Sequence, residues 1–220
     1  GAVPATWLPP HDGPPSIDTI DVSQFVWNIF ERHYVRHERP LLIRGGARMD
    51  NDTAQLYTRP RLLDVAGTRP VRAFDFPYAD QLSFKEPVVM SVHDYISFLD
   101  ERLSRDPSNE LSYVFLDVPK DDIFLNFTFT LPHILQGRVD RRQTQFYLGG
   151  LFMGTPMHYH IHAANSLMHG KKLWLLMPPA EKEFHKTVIY EDLLRSGGAP
   201  GVPRCVQEAG DLLYVPTGWN

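Results

Sequence analysis

Two periods of hydrophobic spacing run through this chain, and they divide it into two parts. From Asp21 the apolar residues Val22, Phe25, Val26, Ile29 and Phe30 recur three and four apart, the spacing of one helix face. Ser23 stands where a cap would open that helix. Pro40 to Gly46, "PLLIRGG", is a short apolar run closed by two glycines and predicts a buried strand. Ser91 to Arg105 returns to helical spacing, with Tyr95, Ile96, Leu99 and Leu103 on one stripe. Ser91 followed three residues later by Asp94 approximates a capping box.

Beyond Asn109 the period falls to two. Candidate strands are Tyr113–Val118, Thr144–Gly149, Met157–His162, Lys171–Met177, Arg204–Glu208 and Leu212–Val215, with Gly and Pro between them. Glu183 to Arg195 predicts a short helical insertion before "SGGAPG". Residues 1–20 carry Pro4, Pro9, Pro10, Pro14 and Pro15 and read as an extended lead-in. A helix-rich part over 21–110 feeding a strand-rich part over 111–220 predicts one domain, mainly β with helices. The expected form is a closed β-barrel with helical N-terminal decoration.

Composition narrows the classes. The chain of 220 residues is 43% hydrophobic and 22% charged, ordinary for a globular protein. No apolar run approaches the roughly 18 residues of a membrane-spanning helix. The formal charge of −4 gives no general drive towards nucleic acid. Arg138, Arg141 and Arg142 cluster, but nothing aromatic interleaves with them, so a solvated face is expected. The single cysteine, Cys205, excludes an intrachain disulfide and is compatible with any compartment. Asn51-Asp52-Thr53 and Asn126-Phe127-Thr128 have the form of glycosylation acceptors.

The chemistry concentrates in "MHYHIHAAN", where His158, His160 and His162 occupy alternate positions. Histidine is the commonest metal ligand, and strand alternation would turn all three rings the same way. Fourteen residues after His158, Lys172 begins the strand "KKLWLLMPP". Alternation groups Lys172 with Trp174 and Leu176, so either Lys171 or Lys172 points inward, and a buried lysine calls for an anion. His169 and His185 have no chemical partner in view, and Tyr214 and Trp219 read as packing.

The order "GTPMHYH … HGKKLWLLMPP … EAGDLLYVPTGWN" resembles the Jumonji-C (JmjC) domain, a double-stranded β-helix of the cupin, or jelly-roll, type. "RPLLIRGG" is similar to that family's early strand, and "QTQFYLGGLFMGTP" to the strand leading into its metal motif. The resemblance implies an Fe(II)- and 2-oxoglutarate-dependent oxygenase, of protein-hydroxylase type, with a protein as substrate or partner. It implies His158 as the first metal ligand, with His160 at the position of the family's Asp or Glu. The third ligand is expected as a histidine just after Asn220, outside the given chain, so the β-helix core is expected to continue past that point. Thr155 and Lys172 match positions that hold the far carboxylate of 2-oxoglutarate, and Tyr147 and Asn165 are further candidates to line its pocket. Only two ligands belong on this strand, which leaves His162 structural.

Two imidazoles and one carboxylate on one face leave positions open for a bidentate keto acid and for O₂. With His160 in place of the carboxylate the metal site gains one unit of charge. His-x-His followed by Gly170-Lys171-Lys172, Pro178-Pro179 and Glu183-Phe184-His185 is similar to one branch of the family whose metal motif is also His-x-His. That likeness implies the endoplasmic reticulum lumen, in keeping with the two Asn-x-Thr triplets; cytoplasm or nucleus is the alternative. Three functions stay open: the oxygenase, a catalytically silent scaffold, and a three-histidine cupin using zinc or another divalent metal without 2-oxoglutarate.

Overall fold

The computed structural model describes residues 16–47, 57–74, 86–103, 113–118, 132–140, 143–150, 153–155, 158–179 and 202–219. The lead-in before Ser16, Arg141, Arg142, the insertion at 183–195 with His185, and both Asn-x-Thr triplets lie outside the described residues. Ten strands are described: β1 (Asp18–Asp21), β2 (Leu41–Arg44), β3 (Pro70–Phe74), β4 (Val88–Ser91), β5 (Tyr113–Asp117), β6 (Gln145–Leu148), β7 (Ala163–Ser166), β8 (Lys171–Leu175), β9 (Arg204–Glu208) and β10 (Leu212–Val215). They form sheets of four, four and two strands. The protein is mainly β with a few helices, as the spacing predicts. No described helix is long and apolar enough to cross a membrane. The chain divides into two compact units, one drawn from Gly1–Ala54, Thr130–Arg138 and Met157–Asn220, the other from Gln55–Phe129 and Val139–Pro156.

The first unit is built on the sheet β1-β2-β10-β7, in which β1 and β2 are parallel and the other pairs antiparallel. The apolar run in β2 explains its central place, because a strand hydrophobic on both faces must be covered on both. Leu41 and Ile43 join Ile20, Phe30, Tyr34, Leu212 and Tyr214 on one side. Leu42 joins Ile17, Leu176, Leu213 and Val215 on the other. Asp211, buried before β10, fastens the β9–β10 turn to the end of β2. Its carboxylate pairs with Arg44 and accepts the backbone N–H of Gly45 at 3.0 Å and of Glu208 at 2.9 Å.

The start of the first helix departs from expectation. Asp21, not Ser23, is the cap: its carboxylate accepts the Ser23 N–H at 2.9 Å while the Gln24 side chain accepts the Asp21 N–H at 3.1 Å. That capping box closes only a 3₁₀ turn, Val22–Gln24, because Phe25 and Val26 are extended. The α-helical turn begins at Trp27 and widens into a π turn over Glu31–Val35. β1 was not expected at all and occupies the end of the supposed lead-in.

In the second unit the order is β4-β3-β5-β6, all antiparallel. The helix Val92–Leu103 lies against it, with Tyr95 and Ile96 buried among Val71, Ala73, Val92 and Val114. The Asp94 N–H donates to Ser91 Oγ at 3.0 Å and the hydroxyl donates back to Asp94 at 2.7 Å, the expected cap. The helix Arg59–Ala66, with Pro60 in its first turn, has too weak an apolar pattern to have been read from spacing.

Candidate functional site

The chemistry-bearing residues of the first unit sit where β8 and β9 meet β7 and β10. Alternation along β8 sends Leu173 outward, 47% exposed, and keeps Trp174 packed against the Leu42 side of the core. Lys172 therefore shares the inward face. Its Nζ stands 4.1 Å from the centroid of the Trp174 ring, a cation–π contact. Lys171 points the other way and pairs with Glu208 at 2.8 Å. Burial pushes the Lys172 ammonium down from 10.5 to about 8, because the charged form loses hydration.

Gln207, opposite Lys172 in the ladder and fully buried, organises this corner. Its Oε1 accepts the Trp174 indole N–H at 2.8 Å, and its Nε2 donates to the carbonyls of Asn165 and Asp211, both at 2.9 Å. One side chain thus ties β8, β9, β7 and the start of β10 together. Sequence reasoning missed it. The signal was present, since Gln207 is a polar residue at an inward position of "RCVQE". Cys205, facing Trp174, is held protonated, its thiol pushed up to about 12 by burial.

The three histidines do not share a face, and this corrects the expectation from alternation. His158 and His160 lie together, ring centroids 4.4 Å apart. His162 Nδ1 instead meets the Tyr214 hydroxyl at 2.8 Å, the two rings stacked at 14°, on the Phe30 side of the sheet. The cause lies in the backbone. Strand β7 begins only at Ala163, whereas the sequence predicts a strand over Met157–His162. β7 and β10 pair in one register, Ala163 with Val215. At His160 the carbonyl accepts the Gly218 N–H at 2.9 Å, but its N–H donates to Trp219 at 3.1 Å, one residue further on. That slip ends the regular ladder on the Gly218–Trp219 side, and the histidine segment itself bends at Ile161 and His162, so strict alternation does not carry from His160 to His162.

Burial holds His160 down to about 4, assisted by repulsion from His158 and Lys172. Its imidazole is neutral at pH 7, with a lone pair available to a metal. Tyr214 is pushed up to about 12, first by burial and then by the Glu38 carboxylate. Asn165 is half-buried on β7 opposite Leu213, and its carbonyl is the one Gln207 holds. His169 is exposed. Arg138, the described member of the basic cluster, lies over the Trp27 ring at 5.8 Å.

Tyr147 and Thr155 belong to the second unit. Tyr147, on β6, donates its hydroxyl to Gln145 at 2.7 Å and packs its ring on Phe115 at 5.2 Å. Thr155 is half-buried in an irregular stretch. Among the described residues no three His, Cys, Asp or Glu side chains gather as a metal cluster. The arrangement of the first unit is therefore a pair of imidazoles beside a desolvated lysine.

No protein-family model matches the chain. It is similar to human JmjC domain-containing protein 8, 27% identical over 201 residues, which cover 82% of this chain and 69% of that protein. Over 89 residues it is 28% identical to the arginine-specific demethylase JMJ20 of Arabidopsis thaliana, 34% of this chain and 19% of that protein. Over 91 residues it is 30% identical to the 2-oxoglutarate and iron-dependent oxygenase JMJD4 of Danio rerio, 34% of this chain and 22% of that protein. The chain thus resembles JmjC domain proteins, the JmjC domain-containing protein 8 branch among them. Its match spans about a fifth of two of these relatives and about two thirds of the third.

Proposed function

We propose that this chain carries the metal and co-substrate site of an Fe(II)- and 2-oxoglutarate-dependent oxygenase, folded as a double-stranded β-helix and hydroxylating a protein side chain. The observation that carries the reading is the placement of His158 and His160 together, with Lys172 close enough to His160 to depress its protonation. The donor set suits a divalent metal: both groups are imidazoles, and His160 needs no deprotonation at pH 7 to offer its lone pair. The turn after β10 runs alongside His160, where the Gly218 N–H and the Trp219 carbonyl hold its backbone.

The bound metal would supply open positions for 2-oxoglutarate and O₂ and the redox chemistry of hydroxylation. The chain's own residues bind and orient. Lys172 presents a cation at the bottom of a desolvated corner, where a carboxylate relieves the cost of burying charge. Trp174 fixes the approach of that ammonium through its ring, and Gln207 fixes Trp174 through its indole N–H. Asn165 is assigned to the same co-substrate by resemblance. Residence in the endoplasmic reticulum lumen is part of the reading, on the likeness to the His-x-His branch.

One observation favours a second reading, a JmjC-type scaffold without catalysis: His160 stands where a carboxylate is usual, and it leaves a metal site more positive by one charge. A zinc or other three-histidine cupin is disfavoured by Lys172, whose inward cation has no purpose there. Metal analysis of the natural-length protein, followed by an assay for succinate from 2-oxoglutarate, separates the three. Iron with succinate formation supports the oxygenase. Zinc with no succinate supports the cupin, and neither metal nor turnover supports the scaffold.

A further inference from the structure

Among the described residues Glu38 alone of the non-glycines has a positive φ, 49°. A side chain with a Cβ enters that left-handed region only where its surroundings require it. Here they do. The Glu38 N–H reaches the Val35 carbonyl at 3.3 Å, and the next residue's N–H, from Arg39, reaches Tyr34 at 2.9 Å. The Arg39 guanidinium then pairs with the buried Asp18 of β1 and stands over the Tyr34 ring at 5.4 Å. Held this way, the Glu38 carbonyl accepts the Trp219 indole N–H at 2.7 Å. The Trp219 carbonyl in turn accepts the His160 N–H at 3.1 Å, and Gly218 donates to the His160 carbonyl at 2.9 Å. Gly218 needs its own left-handed φ of 80°, and a Cβ there would press on Pro179 at 3.2 Å.

We propose that Glu38 and Trp219 are positioning residues for His160. The left-handed Glu38 carbonyl anchors the Trp219 indole, and the Trp219 peptide anchors the backbone from which the His160 ring projects. Neither residue touches metal or substrate. The slip at Trp219 beside His160 is thereby pinned from outside the sheet, by a loop about 180 positions earlier in the chain. The consequence for a metal rests on His160 being a ligand, but the backbone link does not.

The test uses the natural-length protein, first without metal. Amide hydrogen exchange is measured at His160 and Gly218 in wild type, Trp219→Phe, Glu38→Val and Glu38→Gly. Trp219→Phe keeps an aromatic ring and loses the donor. Glu38→Val resists the left-handed region, whereas Glu38→Gly adopts it freely and lacks the carboxylate. Exchange at both amides should quicken by about tenfold in Trp219→Phe and Glu38→Val, with Leu212–Val215 unchanged, and stay at the wild-type rate in Glu38→Gly. Co(II) titration followed by visible absorption should then show affinity reduced by about tenfold in the first two variants and unchanged in Glu38→Gly. Unaltered exchange in Trp219→Phe overturns the proposal, as does Glu38→Gly behaving like Glu38→Val. Faster exchange with unchanged Co(II) affinity also overturns it, because the contact would then be merely structural. If Trp219→Phe does not fold, the two Glu38 variants decide by the same criteria. Wild-type protein that binds no Co(II) while exchange follows the expected pattern upholds the backbone link and defeats the metal reading instead.

Discussion

Replacing Lys172 with methionine should make the protein more stable at neutral pH and useless for binding a dicarboxylate. Burial lowers the Lys172 ammonium from 10.5 to about 8. At about 1.4 kcal/mol for each pH unit, charging it in the fold costs about 3 kcal/mol more than in the unfolded chain. The Trp174 ring at 4.1 Å returns roughly 0.5–2 kcal/mol of that through its quadrupole. Methionine keeps most of the apolar stem and removes the charge, so Lys172→Met should gain about 1–3 kcal/mol at pH 7. The pH dependence fixes the sign. Between pH 8 and 10.5 the unfolded chain still holds the proton that the folded protein has released, so wild-type stability rises across that window. The advantage of Lys172→Met should therefore be full below pH 8 and nearly gone by pH 10.5. Urea denaturation of both proteins at pH 7, 9 and 10.5 measures this. A destabilised variant at pH 7, or an advantage that does not change with pH, would refute the claim that Lys172 is held as a desolvated cation.

Acid should act through His160. The unfolded chain takes up that proton near 6.5 and the folded protein only near 4, so stability should fall by about 1–3 kcal/mol as pH drops through this interval. His160→Leu should flatten that decline, and an acid-unfolding profile by circular dichroism that matches wild type would contradict it. Gln207→Leu strands the Trp174 donor in the interior, while the Asp211 carbonyl keeps the Leu167 N–H, and should cost about 1–3 kcal/mol in urea, with a loss under about 0.5 kcal/mol counting against its organising role. Ser91→Ala removes the cap of the helix Val92–Leu103 and should cost about 1 kcal/mol; a thermal melt indistinguishable from wild type would show that the cap is idle.

What could be read in the sequence was what local pattern determines. β9 and β10 lie at the bounds that alternation predicts, because "EAGD" supplies a turn that leaves no room for slippage. Period two established that either Lys171 or Lys172 of β8 points inward, and the family resemblance selected Lys172. β1 escaped notice because its inward face carries Asp18 beside Ile20, and the charge that breaks the apolar pattern is neutralised by Arg39, distant in sequence. The histidine stretch misled for a related reason. Alternation holds only while the backbone stays extended, and this segment bends at Ile161 and His162 beside a ladder slip at Trp219, about 60 positions later. The Gln207 junction likewise depends on four segments meeting, which no local window contains.

The central claim, that His158, His160 and Lys172 form a metal-dependent site for a keto acid, is tested most directly by calorimetric titration of 2-oxoglutarate. The natural-length protein would be titrated anaerobically, with and without Fe(II). One-to-one binding tighter than about 0.1 mM, or about −5.5 kcal/mol, is expected in the iron-loaded protein. Removal of iron or the Lys172→Met change should each weaken it at least about tenfold. No heat of binding at millimolar 2-oxoglutarate, or binding indifferent to both iron and Lys172, would contradict the account.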